Sequence, residues 1–209
     1  MGKFELSPSP DSFESDSRLA ALRDDVREWT AGRWWAIRIP LLAYLLWALL
    51  SHLRDPWYGS LLFSGITLLI HEIGHVIFGF LPQFLAIAGG TVLQIVAPVI
   101  TALIFLRQPD YFGVTVAGVW LSFSLFNVST YVEDARSMDL PLVSVGSGEI
   151  IHDWNYMLTA LGLLEQEQLL SDIVRLAAGC VGFASILGGA WLVWLMFLRR
   201  GEKRRVWSF

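Results

Sequence analysis

Five consecutive residues, His71-Glu72-Ile73-Gly74-His75, carry the clearest chemical signal in the chain. They lie inside an apolar run from Leu61 to Leu81. If that run is helical, residues four apart share a face, with Cβ atoms roughly 5–6 Å apart. Two imidazoles at that spacing can share one tetrahedral metal ion. Glu72 points about 100° away around the helix, where it can hold a water and take its proton rather than bind the metal. HExxH on a helix is a zinc-hydrolase pattern. The flanks, Leu61-Leu62-Phe63 and Val76-Ile77-Phe78-Gly79-Phe80-Leu81, are compatible with hydrocarbon. His71 stands about ten residues into the run, roughly 15 Å deep at 1.5 Å per residue. Metal chemistry at that depth implies hydrolysis inside a bilayer, and three ionisable residues buried in lipid are costly unless they have a task.

A catalytic zinc wants three protein ligands and an open position. The chain has four histidines, two of them in the motif. His52 closes the first apolar run and reads as an interfacial histidine. The remaining candidates fall between 127 and 153: Glu133, Asp134, Asp139, Glu149, His152 and Asp153.

At this point the chain resembles the site-2 protease family of intramembrane zinc metalloproteases. In that family a later hydrophobic segment ends in an asparagine, and an aspartate a few residues on completes the zinc site, usually within Asp-Gly-Gly-Arg. The matching stretch here is Phe126-Asn127-Val128-Ser129-Thr130-Tyr131-Val132-Glu133-Asp134-Ala135-Arg136. The resemblance implies Asp134 as third ligand and Asn127 as a group that binds substrate backbone or stabilises an oxyanion. It spans about residues 61–136, is specific at the HExxH and looser elsewhere. The usual prolines are missing, the spacing is about one residue short, and Ala135-Arg136 stands in place of Gly-Gly-Arg. Ala88-Gly89-Gly90 is similar to the family's turn after the HExxH helix. His152-Asp153 has no counterpart in the family pattern. An acid in the first turn of a helix suits the helix dipole, and His152 is placed to fold back over the metal as a further ligand, general acid or transition-state stabiliser. The loop 133–150 would then act as a lid, hinged at Gly146 and Gly148.

The helices that hold these groups follow from hydropathy. The chain has 209 residues, 55% of them hydrophobic and only 16% charged, with mean hydropathy +0.54. That composition places it among integral membrane proteins. A net charge of −4 argues against a nucleic-acid partner. Cys180, the single cysteine, excludes a disulfide framework and a thiol metal site. The N-terminal residues are polar, with no signal peptide, and Trp34, Trp35, Trp57, Tyr58 and Trp207 suit interfacial belts.

Three regions follow: 1–33, a polar and partly disordered segment with a short surface helix over 18–32; 34–200, the membrane domain; and 201–209, a basic tail. Apolar helices are expected at Ile37–Ser51, Leu61–Leu81, Phe84–Leu106, Gly113–Val132, Ile150–Leu164 and Ile173–Leu198. The fold class is all-α, a polytopic bundle of about 5–6 transmembrane or re-entrant helices, counted from runs near the ~20 residues that span a bilayer. Basic residues at both ends favour a cytoplasmic N-terminus and C-tail in the cell membrane. Gly179, Gly182, Ser185, Gly188 and Gly189 form a small-residue face suited to close packing, within the chain or in a homodimer.

The sequence thus points to a zinc-dependent intramembrane protease. His71, His75 and Asp134 would bind Zn2+, with Glu72 as the base and Asn127, His152 and Asp153 as substrate-binding or supporting groups. Its substrate would be a transmembrane protein or peptide, unwound locally because a helix hides its carbonyls. The rival is a non-catalytic membrane protein that binds or transports a metal. The ionisable groups centre on one motif instead of lining a path, which favours the enzyme.

Overall fold

The computed structural model describes residues 10–55, 59–60, 62–140 and 151–202. Among these residues there is no strand, and the elements are seven α-helices: α1 Pro10–Thr30, α2 Arg38–Arg54, α3 Ser64–Phe78, α4 Gln83–Arg107, α5 Tyr111–Glu133, α6 Asp153–Leu161 and α7 Glu167–Leu198, with a 3-10 turn at Leu164–Gln166. The all-α expectation holds. α4, α5 and the stretch Leu164–Leu198 are long and apolar enough to cross a membrane. α2 and α3, at 17 and 15 residues, fall short of the ~20 that span untilted.

The helix boundaries differ from the sequence expectations in instructive ways. α1 starts at Pro10, inside the stretch expected to be disordered; proline suits a first helical turn, where its missing N–H is not needed. α7 begins six residues before Ile173. Its polar first turns are held by charge partners: Glu167 by Arg136 at 2.6 Å, and Arg175 by Glu133. Gly89-Gly90 is not a break. α4 runs through both glycines and through Pro98 without interruption.

The chain divides into two compact units, Pro40–Ala190 and Met1–Ile39 with Trp191–Phe209. In the smaller unit Trp29 is buried, and the Arg33 guanidinium lies over its ring at 4.1 Å. The Gly32 N–H donates to the Arg199 carbonyl at 3.1 Å, and Trp35 meets Phe197 edge-on at 5.1 Å.

In the larger unit the core is Leu45, Ala48 and Leu49 of α2, Val119, Phe123 and Phe126 of α5, and Ala178 and Ile186 of α7. His52 belongs to this core and not to an interface: it is buried, stacks on Phe123 at 4.5 Å, and its Nδ1 meets the Ala48 carbonyl at 2.9 Å. The small-residue face of α7 is used within the chain. A methyl at Gly182 would meet Leu49 and Ser122 at 2.6 Å, and one at Gly189 would meet Thr115 at 2.6 Å. Ser122 Oγ also donates to the Ala178 carbonyl at 2.7 Å.

α3 and α4 approach closely. A Cβ on Gly74 would lie 2.3 Å from the Gly89 carbonyl oxygen, and one on Gly89 would lie 2.5 Å from the Phe78 Cβ. Only glycine on both sides lets the two backbones come this near, as small residues do in membrane helix pairs. Gly74→Ala should therefore force α3 off α4, lowering the thermal unfolding midpoint by roughly 5–10 °C. Gly188→Ala, whose methyl meets nothing within 4 Å, should leave the midpoint nearly unchanged. Thermal unfolding of the two detergent-solubilised variants compares them directly.

Candidate metal centre

α3 carries His71 and His75 one turn apart, and the glycine contact sets both imidazoles against the backbone of α4. A Cβ on Gly90 would fall 2.5 Å from His75 Nε2 and 2.7 Å from His71 Nε2. The two Nε2 atoms are 3.0 Å apart. The third group beside them is Asp153, the first residue of α6. Its Oδ2 lies 3.0 Å from His71 Nε2 and 3.1 Å from His75 Nε2. Among the described residues His71, His75 and Asp153 form the cluster of ligand-type side chains able to hold a metal ion.

The protonation pattern follows from what the other ring nitrogens touch. His75 Nδ1 faces the Ala86 carbonyl at 3.2 Å, and His71 Nδ1 faces Gln94 Oε1 at 2.8 Å. Both partners are acceptors, so each ring carries a proton on Nδ1, and in the neutral imidazole the Nε2 lone pair then turns inward. Two lone pairs and a carboxylate oxygen then converge within 3.1 Å. That arrangement repels itself unless something positive sits among the three atoms. A shared proton relieves one contact at a time, whereas a divalent ion relieves all three. A tetrahedral ion with bonds of about 2.0–2.2 Å spaces its ligand atoms about 3.3–3.6 Å apart, a few tenths of an ångström wider than the observed triangle of 3.0–3.1 Å. The three groups could therefore hold a metal ion.

Asp134 does not join this cluster. Its carboxylate receives Ser137 Oγ at 2.8 Å, the Asp139 N–H at 2.8 Å, the Leu140 N–H at 3.1 Å and His152 Nε2 at 3.1 Å. Four donors occupy its lone-pair sites and none is free for a metal. Burial alone would raise this carboxyl, but the bonds from Ser137, Asp139, Leu140 and His152 outweigh it and hold it below the usual carboxylate range. The expected third ligand is thus an anchor. His152 does not belong to this cluster either. It caps α6, its Nδ1 accepting the Asn155 N–H at 3.2 Å, which leaves Nε2–H to donate to Asp134. Asn155 Nδ2 donates to the Ala135 carbonyl at 2.8 Å. These bonds pin the start of α6 to the end of α5 and thereby aim the next side chain, Asp153, at the imidazoles.

Asn127 lies one step behind the site, where its Oδ1 accepts from Gln94 Nε2 at 2.9 Å. Two further residues complete the surroundings. Gln94 is a lone buried amide in an apolar helix, and that isolation was the available signal for it. The Tyr131 ring is 6.2 Å from that of His152 and within electrostatic reach of Asp134, Asp153 and Glu72. Glu72 is half-buried and close enough for its charge to act on His75. Gly146, Gly148 and Glu149, and with them the lid reading, lie outside the described residues. Gly90 is seven residues into α4, so the centre lies about 10 Å along that helix from its start, and His71 stands at the middle of α3.

No protein-family model matches the chain, and no curated protein or solved structure does.

The depressed Asp134 carboxyl makes a pH prediction. A group held below its unfolded value stabilises the fold fully above that value, about 3.9, and the contribution is lost as pH falls through the folded one. Acidification should therefore release α6 from α5. Asp134→Ala, which strands buried donors, should cost about 1–3 kcal/mol at neutral pH and remove that part of the acid sensitivity. Thermal unfolding across the acid range measures both effects.

Proposed function

We propose that the chain is a zinc-dependent intramembrane metalloprotease, a divergent relative of the site-2 protease family, with Asp153 in the ligand position that the resemblance gives to Asp134. The observation that carries this reading is the convergence of His71 Nε2, His75 Nε2 and the Asp153 carboxylate beside Glu72 on an apolar helix. Three ligands with a fourth position open is the catalytic arrangement, whereas structural zinc sites are closed.

His71 and His75 would bind through Nε2 and Asp153 through Oδ2. The ion, when bound, polarises the scissile carbonyl and makes water more acidic. Glu72, one residue along from His71, takes the proton from the attacking water. It returns that proton to the amide nitrogen as the carbon–nitrogen bond breaks. The side chains of His71, Asp153 and His75 are 21%, 19% and 28% exposed, so the centre is open on one side. On α3, Leu69, Ile73, Val76 and Ile77 are exposed apolar residues, a face suited to lipid and to the lateral arrival of a membrane-embedded peptide. The proposal includes a multi-pass chain of five or six membrane-associated helices in the cell membrane.

Purified protein should contain about one zinc per chain. Asp153→Ala should lose the ion, while Asp134→Asn should lower its affinity only indirectly, through a loosened α6. Elemental analysis of the two variants distinguishes these roles, and full zinc retention in Asp153→Ala would remove Asp153 from the ligand set. Glu72→Gln should keep zinc and fold but lower proteolysis of a membrane-embedded peptide by at least about 100-fold, since glutamine cannot accept the proton. Wild-type turnover by Glu72→Gln would overturn the hydrolase reading.

A further inference from the structure

The tautomer of His71 depends on which end of the Gln94 amide faces it. If the amide turned over, its NH2 would point at Nδ1, that nitrogen would have to accept, and the proton would move to Nε2. The inward lone pair would then be gone. The amide is 2% exposed and sits in the middle of α4, so it has no water to reorganise around. Its nitrogen has two partners on α5: the Ser124 carbonyl at 3.1 Å and Asn127 Oδ1 at 2.9 Å. A backbone carbonyl can only accept, so the end facing Ser124 must be the NH2. Asn127 takes the second N–H, and the oxygen is left for His71.

We propose that Ser124 and Asn127 lock the Gln94 amide in this orientation, and that α5 thereby sets the imidazole tautomer with which α3 binds its ion. Gln94 and Asn127 are positioning residues: they act through His71 and do not touch the reacting atoms. This inference rests on the metal-centre reading and adds a role for Asn127 different from the substrate contact that the family resemblance implies. The hydrogen bond behind a metal-binding histidine fixes ring orientation and basicity, and its loss typically costs 10- to 100-fold in affinity.

The test combines zinc affinity, by competition with a chromogenic chelator, with the nitrogen-15 NMR pattern of His71 in metal-free protein. Wild type should show the proton on Nδ1. Gln94→Leu should bind zinc roughly 10- to 100-fold more weakly and lose the single-tautomer pattern. Asn127→Leu should weaken binding by a smaller factor, because the Ser124 carbonyl still holds one N–H, and should give a mixture of tautomers. Asn127→Asp keeps the acceptor and should stay close to wild type. Asn127→Leu and Asn127→Asp do not alter α4, so they decide the matter even if Gln94→Leu fails to fold. Equal loss of affinity in Asn127→Leu and Asn127→Asp, or a proton on His71 Nε2 in wild type, would overturn the clamp. A wild-type protein that binds no zinc but keeps the proton on Nδ1, with a tautomer mixture in Asn127→Leu, would sink the proposed function and leave the clamp standing.

Discussion

Two imidazole Nε2 atoms and a carboxylate oxygen held within 3.1 Å of one another, half-buried among apolar helices, dominate this structure. Like partial charges at that distance are tolerable in water and cost more where screening is weaker. The surrounding structure is arranged to hold them there regardless. The glycines of α3 and α4 bring the two helices together so that Gly90 forms the floor beneath both rings. The Ala86 carbonyl and the Gln94 amide fix the far sides of the rings. The Asp134–His152 pair delivers the carboxylate. Each device would be wasted on a packing site, where an apolar side chain would serve at lower cost.

Asp134 and Asp153 show how two acids of similar sequence prospects come to differ. Asp134 follows α5 directly, where the chain must turn, and the turn leaves N–H groups in search of acceptors. The carboxylate satisfies two of them and a serine hydroxyl besides. Once so occupied it has nothing left to offer a metal. Asp153 stands at the first turn of α6, whose own cap is His152. Its carboxylate is therefore spared from capping and projects from a rigid helix end. A carboxylate carried by a helix tied down through its neighbour is better held than one on a loop.

Much of this was legible in the residues. The HExxH on an apolar helix, the all-α membrane character and the order of most helices follow from periodicity and composition, which are local properties. Each needs only that apolar side chains leave water and that helical residues four apart meet. Asp153 at the opening of a short helix was also readable, since an acid suits the first turn, whereas the cap that His152 makes there was not.

What the sequence could not decide was partnership across the fold. Asp134 and Asp153 carry the same carboxylate, and only the tertiary structure shows which is saturated by nearby donors and which faces the two imidazoles. Gly89-Gly90 reads as a break in isolation, yet as close packing once Gly74 lies opposite it. Gln94 becomes meaningful only with His71 on one side and Ser124 and Asn127 on the other. The charged start of α7 is helical because Glu133 and Arg136 stand beside it. By itself the sequence determined which groups were available and how neighbours along a helix are spaced. The tertiary structure decided which of them meet, because hydrogen-bond saturation and close approach depend on residues far apart in the chain.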